Sequence, residues 1–164
     1  MTANRTELVG IYLNDHLAGA TAGTALAHRI ARTHDEVADR TTLQRLAGEI
    51  NADRQALLEI MGQLGVPVRH YKTTAAWLGE RVGRLKFNGR LRTRSPLSSL
   101  EELELLRLGV EGKAAGWRTL RELADTEPRL SPARLDELLT RARQQADQLE
   151  DLRVAAANHL LETH

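Results

Sequence analysis

Asp53 interrupts an otherwise apolar stripe. From Leu43 to Leu64 the residues Leu43, Leu46, Ile50, Leu57, Ile60 or Met61, and Leu64 recur at the spacing of one buried helix face. Asp53 falls at the centre of that face, with Glu49 one turn earlier on nearly the same line. A carboxylate in such a place needs a partner, because an unpaired charge is costly in an apolar core. Helical projection and turn positions put candidates at similar heights: His16 before it in the chain, and Lys113 and Gln145 after it. Three chemistries follow. An ammonium at Lys113 could compensate Asp53 or Glu49 directly, giving a buried charge and hydrogen-bond cluster without metal. His16, Asp53 and Glu49 have the types to hold one metal ion. In the third, small helix rotations let Lys113 snorkel to water and Glu49 face solvent. A His–Asp pair could also act as acid and base, but no pocket-forming element is evident, and a structural histidine is the preferred reading.

The elements that must carry these residues are helices. The apolar content comes from Leu, Ala, Val and Ile, aromatics are scarce, and Glu and Arg are frequent. Helices are expected over about 5–33, 39–64, 96–124 and 132–161. Tyr12, His16, Gly19, Gly23, Leu26 and Ile30 line one face of the first, with Asn14, Thr21, His28 and Arg32 opposite. The second stops at Leu64-Gly65-Val66-Pro67, with Gly in the usual C-terminal position. Leu103, Leu106, Val110, Ala114, Trp117 and Leu120 form the core stripe of the third, and Ser98-x-x-Glu101 and Ser99-x-x-Glu102 fit a capping box at its start. The fourth starts at Ser131-Pro132. The glycines 19 and 23, and 109, 112 and 116, make small-residue faces that mark either a close helix approach within the chain or a homodimer contact; the dimer is favoured. Residues 65–95 form a connector, with a short helix expected over 74–87 and Ala76, Trp77 and Val82 as its docking residues. A 26-residue helix spans about 39 Å, and this connector is long enough to cross that distance.

Two hairpins joined by a long crossover, with polar residues at mid-bundle on all four helices, resemble the ferritin-like superfamily. The resemblance implies an all-α, ferritin-like four-helix bundle in a single domain. In the di-metal members two helices each give a Glu and two give Glu-x-x-His. That motif is absent here. The second helix has Glu49-x-x-Ala52 and then Asp53. The third offers Lys113 where an acid would stand. On the fourth, Asp147 and Glu150 project outward, while Gln145 and Arg153 hold the inner side. The expectation is a non-catalytic ferritin-like protein with no cofactor. Its rivals are a metal-binding oxidase or iron-handling protein with unusual ligands, and a nucleic-acid-associated protein.

The last rival rests on charge. Net charge is +1, so nothing draws the whole chain to nucleic acid or membrane. Residues 69–94, however, hold eight Lys or Arg and a single acid, Glu80. Arg81, Arg84, Lys86, Arg90, Arg92 and Arg94 are the candidate anion-binding residues. A solvated surface pairing with acids elsewhere is the preferred reading of them. The chain has no Cys, no apolar run of membrane-spanning length and no basic start followed by an apolar run, so a cytoplasmic protein is expected. Gly112-Lys113 lacks the other residues of a phosphate loop.

Overall fold

A computed structural model of the chain describes residues 4–34, 39–69 and 96–162. Those residues form four helices and no strand: α1 (Arg5–Thr33), α2 (Arg40–Leu64), α3 (Pro96–Leu123) and α4 (Pro132–Glu162). The expected short helix over 74–87 and the basic residues Arg81, Arg84, Lys86, Arg90, Arg92 and Arg94 lie outside the described residues. None of the four helices is long and apolar enough to cross a membrane.

Each helix buries the stripe that its apolar spacing defines. In α2 the buried residues are Leu43, Leu46, Ala47, Ile50, Asp53, Ala56, Leu57, Ile60, Met61 and Leu64. The helix ends because Gly65 takes a left-handed φ of 70°, which lets the Val66 N–H turn back to the Met61 carbonyl at 2.9 Å. Val66 then packs beside Gly10, and the Arg69 N–H donates to Asn14 Oδ1 at 2.7 Å, so the chain leaves α2 by turning back along α1.

Cross-helix pairs set the topology. Tyr12 donates to Thr119 and Arg29 to Glu102, so α1 and α3 run antiparallel. Arg45 donates to Gln148 and Arg141 to Asp53, so α2 and α4 do too. Arg121 with Asp136 and Arg107 with Glu150 make α3 and α4 an antiparallel hairpin. Arg54 bonded to Thr21 does the same for α1 and α2. It follows that α2 and α3 run parallel, and that Leu64 and Pro96 lie at opposite ends. The turn between α3 and α4 is pinned to the end of α2 by Arg129, which donates to the Leu64 carbonyl and to Glu127. That guanidinium holds the Glu127 carboxyl down at about 2.

The core is two apolar clusters, not one. At the end near the α3–α4 turn, Leu13, Leu17, Leu57, Met61, Trp117, Leu120, Leu135 and Leu138 pack together. At the other end, Leu26, Ile30, Leu43, Leu46, Leu103, Leu106, Val110 and Leu149 do the same. The boundary falls near Asp53 on α2, Lys113 on α3 and Gln145 on α4. On α1 the matching stretch from Ala18 to Ala25 contains only Ala, Gly and Thr, which leaves the volume at this level to the longer side chains of the other three helices.

Three expectations about α1 and the glycines need correction. Asn14 is buried, not wet; its amide donates to the Gly10 and Pro67 carbonyls at 2.8 and 3.1 Å. His34 is also buried, with Nε2 3.4 Å from Asp39 Oδ2. Gly19, Gly23, Gly109 and Gly112 have nothing within 4 Å of where a Cβ would stand, so no helix of the described chain approaches them closely. Only Gly116 is closely covered among these, by the His16 imidazole at 3.0 Å. Gly19→Ala and Gly112→Ala should each stabilise the protein in urea denaturation by about 0.5–1 kcal/mol, through helix propensity alone. Gly116→Ala should fall short of that gain, because its methyl group meets His16.

Candidate functional site

The mid-bundle layer is organised around Asp53, whose side chain has 0% exposure. Its Oδ1 accepts from Arg141, from Nε at 2.7 Å and also from Nη2. Its Oδ2 accepts from Lys113 Nζ at 2.5 Å and from Gln145 Nε2 at 3.1 Å. Lys113 also donates to Gln145 Oε1, and Gln145 Nε2 reaches Glu49 Oε2 at 3.3 Å. Glu49 in turn accepts from Arg45 at 2.6 Å. Three helices thus converge on one carboxylate: α2 supplies it, α3 a lysine, and α4 an arginine and an amide. The short α3–α4 turn is what places Lys113 opposite Gln145.

Two forces act on Lys113. Burial pushes its pKa below the usual lysine value, and the Asp53 carboxylate beside it opposes that fall. The ammonium is 13% exposed and the Arg141 side chain 30%, so each reaches the carboxylate from a partly dry position. Charge-assisted hydrogen bonds of this kind are the strong class. They offset a desolvation cost of several kcal/mol per ion, so the layer need not add net stability.

The structure brings together four of the five residues the sequence singles out: Glu49, Asp53, Lys113 and Gln145. His16 does not join them. The Arg54–Thr21 bond sets α1 against α2 so that His16 stands level with about Glu59, some two turns from Asp53. Its ring instead lies over Gly116 and meets Tyr12 edge-on at 4.5 Å between centroids. Nor does Arg153 belong to the layer: it pairs with Glu150 at 2.7 Å and approaches Glu104 at 3.6 Å. Arg141 is the residue that sequence reasoning missed. It lies one turn before Gln145 on nearly the same face, which was the available signal.

No protein-family model, curated protein or solved structure matches this chain. The chemistry must therefore be read from the side chains. The residues do not fit a metal centre of the kind that a ferritin-like bundle implies. Both oxygens of Asp53 are taken up by N–H donors, two of them cationic groups, and the Lys113 ammonium stands between Asp53 and Gln145. No group of three or more His, Cys, Asp or Glu among the described residues is arranged to hold an ion.

Two predictions follow from this geometry. Asp53→Ala leaves Lys113 and Arg141 without their shared anion and should destabilise the protein by about 3–5 kcal/mol in chemical denaturation. A well-packed apolar replacement of Asp53, Lys113 and Arg141 together should recover most of that loss. Burial lowers the His16 pKa below 6.5, against a smaller raising effect of Asp15. The folded state therefore favours the neutral ring, and this contribution is lost as pH falls from 6.5 through the folded value. An NMR titration of the His16 ring should give a midpoint below 6.5; a raised midpoint would return a carboxylate such as Asp53 to its side.

Proposed function

We propose that this chain is a ferritin-like helical bundle protein that works without a metal centre and without catalysis, its mid-bundle site filled by an internal charge network. The observation that carries this reading is the Lys113 ammonium on Asp53 Oδ2. It supplies, from the chain itself, the positive charge that metal ions bring to a di-metal bundle. A fixed cation there also repels a divalent ion, which would have to displace at least one N–H donor to reach either oxygen of Asp53. The parallel run of α2 and α3 supports the ferritin-like part of the proposal, because it is the connectivity that one long crossover between two hairpins produces. Lys113 and Arg141 compensate Asp53 too closely for it to serve as a base, and His16, the other candidate acid or base, is two turns away.

The role left to such a bundle is binding through its surface. Elemental analysis after reconstitution with iron, manganese and zinc tests the metal-free reading. Far less than one equivalent should be retained. Near-stoichiometric metal that disappears in Asp53→Ala would sink it.

A further inference from the structure

We infer that the cleft between α2 and α4 is a binding site for a small oxyanion, a carboxylate or a phosphate monoester, anchored by Arg141. The seam between these two helices is closed by side chains: Arg45 to Gln148, Arg141 to Asp53, and Gln145 to Glu49 and Asp53. Outside those bridges lies a cleft of about 620 Å³, open to solvent along one side and lined by Arg45, Glu49, Thr140, Arg141, Gln144 and Gln148. Its lining is polar, and its floor is the charge network described above.

The charge count of that network gives the ligand its sign. Arg45, Lys113 and Arg141 bring three positive charges to Glu49 and Asp53, which carry two negative ones. One positive charge is left over. Asp136 and Glu137, further along the cleft, do not cancel it, because Asp136 is bonded to Arg121 and Glu137 to Arg134. The surplus is presented by Arg141. Its Nε and Nη2 are spent on Asp53, whereas its Nη1 has no acceptor among the described residues. The buried carboxylate holds the guanidinium plane in place, so an incoming anion pays little to order it. Beside it, the Gln144 amide and the unused Nε2 of Gln148 can donate to further oxygens of the same ligand. A half-buried guanidinium with an open edge suits carboxylate and phosphate oxygens better than a chloride ion.

The proposal concerns the cleft alone and does not depend on whether the bundle is ferritin-like. The test is an NMR titration of the Arg141 Nε–Hε signal in the full chain at constant ionic strength. Acetate and succinate form one arm and inorganic phosphate the other. Saturable shifts at about 1 mM are expected from at least one arm, and the tighter arm names the ligand class. Gln144→Glu places a competing carboxylate at the cleft mouth and leaves Asp53 untouched. It should weaken binding roughly tenfold, about 1.4 kcal/mol. No saturable shift from either probe, or the same affinity in Gln144→Glu, would overturn the proposal. Metal uptake at Asp53 would contradict the metal-free reading instead, so the two failures are distinguishable.

Discussion

One carboxylate is shared between two cationic side chains and an amide in the middle of the bundle, and the rest of the structure is arranged to permit it. Asp53 is out of contact with water, so its charge is tolerable only because both oxygens are bonded. The bonds come from α3 and α4, which ties three helices at one height. Sliding α2 by a turn would move Asp53 among leucines and strand Lys113 and Arg141. The layer thus specifies register by making other registers costly, whether or not it adds net stability. That it falls between two apolar clusters is part of the same logic, since each cluster packs without accommodating a charge.

α1 takes part mainly by leaving room. Its stretch of Ala, Gly and Thr at this level offers no bulky side chain to fill the centre of the bundle. Its specific contacts lie above and below: Arg29 with Glu102 at one end, and Tyr12 with Thr119 and His16 over Gly116 toward the other. Asn14 adds a tie of another kind, bonding the backbone of residues 67 and 69 and so setting the path by which the chain leaves α2.

What was legible in the sequence followed from local constraints. The α2 stripe is written in apolar spacing, and its end in Gly65. Lys113 and Gln145 could be paired because a short turn near residue 128 fixes their heights. His16 was misplaced because the offset of α1 against α2 depends on how the first hairpin turns, and a shift of a few residues moves a side chain by a full turn. Arg141 was missed because a long cationic side chain at the edge of a stripe reads as one that reaches for water. Asn14 gave no signal, since its partners are backbone groups more than fifty positions away. The glycines misled for a simpler reason: a missing Cβ records that there is no side chain, not that something has come close.

The central claim is that Asp53 and Lys113 depend on each other inside the fold. A double-mutant cycle with Asp53→Ala, Lys113→Met and the two combined measures this directly in chemical denaturation. The account predicts that the pair costs much less than the sum of the singles, with a coupling of about 1–3 kcal/mol. Additive losses, with coupling near zero, would mean that Lys113 does not compensate Asp53 in solution and would contradict the account.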